Sequence, residues 1–252
     1  MNFQERKKKI LAALHDAESL SVFQLAGILS TSPATIRRDL HEIAQSGLLI
    51  RTHGGAIKPD HSTLTAFADK ATSNNAIKQK IAERAASYVR DGETIFLDCG
   101  STVFQMCRFL KTRNNLRIIT NSLPVLAELV DSPGITINLI GGEVDKARKA
   151  VHGEMAIRHA DTYHAHKSFI GVDGVSAENG LTAHSEVEAG ITKAFIRNAA
   201  QTYLLCDASK IGKDSYIKFA PLTDIKCLIT SEMDGEQKSR FKESGLVDIV
   251  VV

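Results

Sequence analysis

The sequence predicts an α/β protein in two parts, a small helical part at the N-terminus and a larger part built on a mostly parallel sheet. Near the N-terminus, two helical patterns with capping residues follow each other closely. A polar segment, residues 58–75, comes next and has only Leu64 and Phe67 as large apolar residues. Beyond it, continuous apolar runs alternate with amphipathic helical patterns, which is typical of a parallel sheet covered on both faces.

The first of these helices opens with a capping box, Ser21-Val22-Phe23-Gln24, in which a hydroxyl is followed three residues later by an amide. In such a box, each of the two side chains bonds the backbone of the other residue. Apolar residues then recur at helical spacing, at Val22, Leu25 and Leu29. The spacing therefore predicts a helix that buries this face.

A second helix is predicted from Ser32-Pro33, because a capping hydroxyl and a proline at the first helical position favour a helix start. On a helical wheel Ile36, Leu40 and Ile43 share one face, and we expect them to be buried. The other side is expected to expose a small residue, a hydroxyl, two arginines and a histidine: Ala34, Thr35, Arg37, Arg38 and His41.

Residues 48–57 predict a two-stranded wing that turns at Gly54-Gly55 and carries Arg51 and His53. A helix that exposes arginines on its first turns fits the major groove, where Arg bonds bidentately to guanine or holds phosphates. The order of two caps, an Arg pair and a wing predicts a winged helix-turn-helix that binds double-stranded operator DNA. The predicted contact residues are Ser32, Ala34, Thr35, Arg37, Arg38, His41, Arg51 and His53. The alternative is an ordinary helical hairpin with solvated arginines.

The composition limits the class of protein. A chain of 252 residues has room for a small domain and a larger one with its own core. Residues 1–57 carry seven Lys/Arg and five Asp/Glu, and the rest carries 24 of each, so the excess positive charge lies in the predicted DNA-binding part. No Cys-x-x-Cys pair, secretory leader or bilayer-spanning apolar run is found. We expect a cytoplasmic protein with no membrane partner, no metal site and no cofactor.

The larger part contains seven apolar, strand-like runs, separated by helical patterns. They are residues 94–98, 116–120, 135–140, 168–172, 202–206, 226–229 and 248–252. This alternation predicts a Rossmann-like, mostly parallel sheet. We therefore predict a winged helix-turn-helix domain over residues 1–57, a linker over 58–75 and an α/β domain over 76–252.

Polar and glycine-rich residues follow three successive strands of the predicted sheet. The segment Asp98-Cys99-Gly100-Ser101-Thr102 follows the first strand, Thr120-Asn121 the second and Gly141-Gly142 the third. Ligands of open α/β sheets bind at the carboxyl ends of the strands, and backbone N–H groups at a helix start suit a phosphate. The three segments together predict the rim of a pocket for an anionic ligand.

Residues from later strand ends extend this predicted pocket. Lys210 supplies a positive charge suited to a phosphate, while Asp173, Glu186 and Asp207 accept hydrogen bonds from sugar hydroxyls. Each has an ordinary alternative, since Asp207 caps a helix equally well. The full predicted set is Asp98, Gly100, Ser101, Thr102, Thr120, Asn121, Gly141, Gly142, Asp173, Glu186, Asp207 and Lys210.

The chain resembles the DeoR family of bacterial transcriptional regulators over nearly its whole length. In the first part, Pro33 to Leu40 and Arg51-Thr52-His53-Gly54-Gly55-Ala56 carry the resemblance. In the second part it is carried by the segments 98–102, 120–121, 141–142, 171–174, 186–188 and 207–212. The chain departs from many members at Ser185, where they carry Asn, and at Thr192-Lys193, where they carry two basic residues.

This resemblance implies a repressor of a sugar or polyol operon that a phosphorylated sugar or polyol releases from DNA. It also implies an effector domain similar to the folds of ribose-5-phosphate isomerase and glucosamine-6-phosphate deaminase. A homo-oligomer, dimer or tetramer, is expected because paired half-sites take two recognition helices.

The alternative function is an enzyme, a sugar-phosphate isomerase or deaminase that kept the sheet and its active site. Such an enzyme needs a placed carboxylate base and often a histidine. Asp98, Glu186 and His184 are the candidates for these roles. The complete winged helix favours the regulator, because an isomerase has no use for a DNA-binding module.

Overall fold

The computed structural model describes residues 3–17, 19–45, 49–52, 54–57, 67 and 74–252. The chain divides into two compact units, Met1–Thr63 and Leu64–Val252. The division falls inside the predicted linker, most of which lies outside the described residues. The domain bounds 1–57, 58–75 and 76–252 therefore stay predictions.

The described part of the N-terminal unit contains three helices and a small antiparallel sheet. The helices are α1 (Phe3–Asp16), α2 (Val22–Leu29) and α3 (Pro33–Gln45), and the strands are β1 (Ser19–Ser21), β2 (Ile50–Arg51) and β3 (Gly55–Ile57). The strands lie in the order β1-β3-β2. The predicted wing is thus confirmed as β2 and β3, and β1 adds a third strand that we did not predict from the sequence.

The predicted caps and the buried face of α3 are confirmed. The Gln24 N–H donates to the Ser21 hydroxyl at 3.2 Å, and the Ser21 N–H donates to Oε1 of Gln24 at 2.8 Å. Ile36, Leu40 and Ile43 are buried. A Cβ on Gly55 would collide with the carbonyl oxygen of Leu20, so only glycine lets β3 pair this closely with β1.

A bidentate ion pair ties α1 to α3. Nε of Arg6 lies 2.6 Å from Oδ2 of Asp39, and Nη2 lies 3.0 Å from Oδ1. Asp39 is buried, so its charge requires this partner. The pair therefore fixes the position of α3 against the helix behind it.

The second unit alternates strands and helices from residue 75 onwards. The strands are β4 (Thr94–Leu97), β5 (Leu116–Thr120), β6 (Ile135–Leu139), β7 (Glu143–Asp145), β8 (Ala150–His152), β9 (Ala165–Ile170), β10 (Gly174–Ser176), β11 (Gly180–Ala183), β12 (Ala199–Leu205), β13 (Ile217–Ala220), β14 (Cys227–Thr230) and β15 (Asp248–Val251). The helices are α4 (Asn75–Ala86), α5 (Ser101–Phe104), α6 (Cys107–Leu110), α7 (Leu123–Leu129), α8 (Glu154–Ala160), α9 (Glu186–Arg197) and α10 (Gly235–Glu243), with 3₁₀ turns at Ala208–Lys210 and Leu222–Asp224.

The main sheet has seven strands in the order β15-β14-β12-β9-β4-β5-β6, and all of its pairs are parallel. These are the seven strands that the apolar runs predict, so the α/β fold class is confirmed. Residues of α4 to α7 pack on one face with Ile95 and Leu97. Residues of α8 to α10 pack on the other face with Phe96. Both faces are covered, which explains why apolar residues lie on both faces of the strands.

Two smaller sheets were not predicted from the sequence. β7 and β8 form an antiparallel hairpin, and β10, β11 and β13 form an antiparallel sheet. Each of these strands has three or four residues, too few for a clear alternation. In the part of the chain that the structure describes, no helix is both long and apolar enough to cross a membrane.

Phe195 of α9 should be essential to the stability of the second unit. Its ring stacks on Phe96 with centroids 4.6 Å apart, and both side chains are fully buried. We expect Phe195→Ala to lower the free energy of unfolding of this unit by about 3–5 kcal/mol, measured by urea denaturation. Tyr216→Ala is the control, since Tyr216 is 79% exposed; its effect should stay within about 0.5 kcal/mol. Equal effects of the two substitutions would contradict the packing of this core.

Candidate DNA-binding surface and effector cavity

The exposed side of α3 presents the side chains that the sequence predicts for DNA contact. Ala34, Arg37, Arg38 and His41 are exposed, while Thr35 is half-buried. The opposite side of α3 packs in the hydrophobic core of this unit. The arginines therefore extend from a helix whose orientation its own core and the Arg6–Asp39 pair hold fixed.

The hydroxyls at the start of α3 are already engaged in the cap. The Thr35 N–H donates to Oγ of Ser32 at 3.2 Å, and the two hydroxyl oxygens lie 2.9 Å apart. Both are placed on the edge of the exposed side, where capping and a phosphate contact are compatible. The side chain of Arg51 and the whole of His53 lie outside the described residues, so their DNA contacts remain predictions.

The second unit contains a cavity of about 140 Å³ at the carboxyl ends of β4, β9 and β12. Its polar lining comes from six regions of the chain: Asn74, Lys78, Asp98, Ser101, Thr102, Arg148, Asp173, Glu188, Thr192, Asp207, Ser209 and Lys210. Apolar walls come from Phe67, Val172, Ala183, Leu205 and Phe219, among others. Such a mixture of apolar wall and convergent polar groups is characteristic of small-molecule sites.

Two lysines line this cavity. Lys78 of α4 is buried, and its ammonium donates to the Ser101 hydroxyl at 3.1 Å. Lys210 is half-buried and ends the 3₁₀ turn that Asp207 caps by accepting the Ser209 N–H at 2.9 Å. A buried ammonium beside a hydroxyl is a strong donor set for an anion. The lysines can therefore hold a phosphate.

Arg148 and Glu188 form an ion pair in the cavity wall. Nη2 of Arg148 donates to Oε2 of Glu188 at 3.0 Å, and Nε contacts Oε1 of the same carboxylate. Both residues are more than nine-tenths buried. Burial lowers the pKa of Arg148 and the Glu188 carboxylate raises it, with a net raised pKa, so the arginine remains charged.

Asp98 is the most deeply placed carboxyl group of the cavity. Its Oδ2 accepts the Gly171 N–H at 3.2 Å, while Oδ1 is buried and has no hydrogen-bond partner among the described residues. Burial raises the pKa of Asp98. A buried carboxylate oxygen without a hydrogen-bond partner is costly.

Phe67, which precedes α4 in the chain, lies in the cavity wall. Its N–H donates to the carbonyl of Ala147 at 3.0 Å, and its buried ring meets the Phe104 ring edge-on with centroids 5.6 Å apart. Ala147 is the neighbour of Arg148. This contact therefore joins the start of the unit to the β7–β8 turn.

The structure brings together seven of the predicted effector residues. Asp98, Gly100, Ser101, Thr102, Asp173, Asp207 and Lys210 all line the cavity. Five others do not line it: Thr120, Asn121, Gly141, Gly142 and Glu186.

Thr120, Asn121 and Gly141 form hydrogen bonds with other parts of the fold. Thr120 donates to the carbonyl of Leu97 at 2.7 Å, and Asn121 donates to that of Val151 at 3.2 Å. Gly141 donates its N–H to Nδ1 of His159 at 3.0 Å. Gly142 and Glu186 are exposed. The cavity thus lies between the ends of β4, β9 and β12, whereas the predicted rim ran along the ends of β4, β5 and β6.

Six polar residues of the cavity lining are absent from the predicted set: Asn74, Lys78, Arg148, Glu188, Thr192 and Ser209. Lys78 shares a helix face with Ile81, Ala82 and Ala85, all buried, and this position on an apolar face is a signal that could have found it. Arg148 sits in a short turn with no comparable signal. Among the residues that the structure describes, no cluster of three or more His, Cys, Asp or Glu is placed to hold a metal ion.

An exposed recognition helix on one unit and a polar cavity on the other define a DNA-binding transcriptional regulator with a sensor unit. The profile of the DeoR-like helix-turn-helix domain matches residues 6–62, and that of the DeoR C terminal sensor domain matches residues 73–232. The chain belongs to the DeoR family of transcriptional regulators.

Relatives of similar length carry regulator names. The chain is 32% identical to the HTH-type transcriptional repressor GlcR of Bacillus subtilis, over 98% of this chain and 96% of that one. It is 29% identical to the Glycerol-3-phosphate regulon repressor of Escherichia coli K12, over 91% of each. The solved structure of ribose 5-phosphate isomerase A of Methanocaldococcus jannaschii matches over 55% of each chain, at 23% identity and a TM-score of 0.41.

These relatives place the chain among regulators rather than among enzymes. The candidate catalytic groups do not assemble either: Glu186 lies outside the cavity lining, and Nδ1 of His184 lies 2.6 Å from the Ser215 hydroxyl. The sugar-phosphate isomerase or deaminase alternative is therefore set aside.

Arg38 should contribute directly to DNA affinity. It is exposed on α3, so Arg38→Ala should leave the fold intact and weaken binding to an operator duplex by about 1–3 kcal/mol. Fluorescence anisotropy against a duplex selected from a randomised library by the full-length chain measures this. Lys238→Ala on α10 removes one charge from the other unit and should leave the affinity unchanged. Unaltered affinity in Arg38→Ala would mean that α3 is not the recognition helix.

Proposed function

We propose that this regulator represses a sugar or polyol catabolic operon and that a phosphorylated sugar or polyol releases it from DNA. The observation that supports the effector class is the presence of Lys78, Ser101 and Lys210 in one cavity at the carboxyl ends of parallel strands. The name of the Escherichia coli relative, a glycerol-3-phosphate regulon repressor, supports the same class.

The cavity residues divide between the two ends of such an effector. Lys78, Ser101, Thr102 and Lys210 hold the phosphate, because an ammonium or hydroxyl donates to its oxygens. Asp98, Asp173 and Asp207 accept hydrogen bonds from the effector's hydroxyls. Gly100 has no side chain, so the effector can come close to the protein backbone there. On the DNA side, Ser32, Ala34, Thr35, Arg37, Arg38, His41, Arg51 and His53 contact the operator.

Release requires a difference in effector affinity between two arrangements of the protein. An effector that binds both arrangements equally shifts nothing. We propose a homo-oligomer, a dimer or a tetramer, in which effector binding favours the arrangement that cannot place two recognition helices on paired half-sites. Light scattering on the purified chain, with and without operator DNA, tests the oligomer. We propose that the chain acts in the cytoplasm, because its operator DNA lies there.

A thermal-shift screen tests the effector class. The purified full-length chain is heated with phosphorylated sugars and polyols of three to six carbons and with the same compounds lacking the phosphate. Binding to the native state alone raises the melting temperature, so a phosphorylated compound should shift it and its unphosphorylated counterpart should not. Equal shifts from both members of a pair would contradict a phosphate-binding cavity.

Substitution of the two lysines should produce a repressor that the effector no longer releases. Lys78→Met and Lys210→Ala each remove a charge-assisted contact worth about 1.5–3 kcal/mol, so effector affinity should fall about 10- to 100-fold. Operator binding without effector should stay normal, because both residues lie in the second unit. Calorimetry and an operator-release titration measure the two effects.

Lys80→Met and Lys213→Ala are the matched controls. Lys80 lies on the same helix as Lys78, and Lys213 on the same loop as Lys210, but both are exposed and neither lines the cavity. Their effector affinity should equal that of the unsubstituted chain. If Lys78→Met and Lys210→Ala behave like these controls, the phosphate does not bind here.

A further inference from the structure

The Arg148–Glu188 pair is held in place from both sides. Arg148 lies in the turn between β7 and β8, where Oδ1 of Asp145 accepts the N–H groups of Ala147 at 2.9 Å and of Arg148 at 3.0 Å. Glu188 lies in the first turn of α9, capped by Ser185. Since both backbones are fixed, the two-point contact between guanidinium and carboxylate presents a constant, neutralised surface to the cavity.

The surroundings of this pair are rich in carboxyl groups. Glu188, Asp173 and Asp98 line the same cavity as Arg148, and each raises the pKa of its guanidinium. Oδ1 of Asp98 is buried without a hydrogen-bond partner among the described residues. This oxygen lacks a hydrogen-bond donor. A ligand hydroxyl supplies one, whereas an ionised ligand carboxylate supplies only acceptors and a further negative charge.

We infer that the Arg148–Glu188 pair determines effector specificity: it admits phosphorylated polyols and sugars and rejects phosphorylated sugar acids. The inference rests on the proposed function, because it assumes that the lysines hold a phosphate in this cavity. Arg148 is the cation that would receive a ligand carboxylate, and its Nε and Nη2 already contact the Glu188 carboxylate. A ligand carboxylate is thus rejected for two reasons: Arg148 already has a carboxylate partner, and the nearby carboxyl groups repel a further negative charge. Binding sites exclude close analogues in this way.

Matched pairs of ligands test this specificity on the purified full-length chain. The pairs are glycerol 3-phosphate with 3-phosphoglycerate, ribose 5-phosphate with 5-phosphoribonate, and glucose 6-phosphate with 6-phosphogluconate. For the pair whose polyol or sugar member binds most tightly by calorimetry, we expect the acid member to bind at least about tenfold more weakly.

Glu188→Gln should change this preference. The amide keeps the shape of the carboxylate and removes its charge, which leaves Arg148 to pair with a ligand carboxylate. The affinity for the acid member should rise about tenfold, a change of about 1.4 kcal/mol, with a smaller change for the other member. The double variant Arg148→Met, Glu188→Gln should lose this gain. Glu83→Gln, which makes the same charge change on the exposed side of α4, should show none.

The results separate the inference from the proposed function. If no phosphorylated compound binds, the proposed function fails and the inference fails with it. If phosphorylated compounds bind but the unsubstituted chain accepts both members of a pair equally, only the inference is overturned. A folded Glu188→Gln variant without any gain for the acid, or a gain that persists in the double variant, also overturns it. If the variants do not fold, the comparison of the two ligands of a pair on the unsubstituted chain still tests the inference.

Discussion

The pairing of β4 with β9 determines where the second unit has its cavity. From β4 the chain adds β5 and β6 on one side, and then returns to add β9, β12, β14 and β15 on the other. The helices that follow β4 and β9 therefore leave toward opposite faces of the sheet, and their departure opens a crevice between the two carboxyl ends. The lysines, the buried Asp98 and the Arg148–Glu188 pair all lie around this crevice, and each depends on this strand order.

Most of the fold could be predicted because its strongest signals are local. Each strand of the parallel sheet contains an apolar run, and α2 and α3 of the DNA-binding unit carry their own caps in sequence. β1 and β13 could not be predicted, because each is short and pairs with a strand far away in the sequence, and β10 and β11 are too short to show a pattern. In β1, a Ser-Leu-Ser run becomes a strand only because Gly55 lets β3 approach it.

The candidate site could be predicted only in part, for a related reason. The sequence shows which residues end a strand, and Asp98, Asp173, Asp207 and Lys210 were predicted that way. It does not show which strand ends open into a cavity, so the ends of β5 and β6 were grouped with that of β4, although Thr120, Asn121, Gly141 and Gly142 do not line the cavity. Lys78 and Arg148 reach the cavity from a helix and a hairpin turn. Their importance comes from burial, which tertiary packing alone creates.

Phe67 has a consequence for how such regulators are assembled by recombination. The sensor profile begins at residue 73, yet the cavity takes a wall residue from six positions earlier. A chimaera joined at residue 73 would attach a foreign DNA-binding part and discard Phe67 together with its bond to Ala147. A chimaera joined ahead of Leu64 would inherit the cavity whole. The segment that must be transferred to keep the cavity intact is therefore longer than the segment that the sensor-domain profile matches.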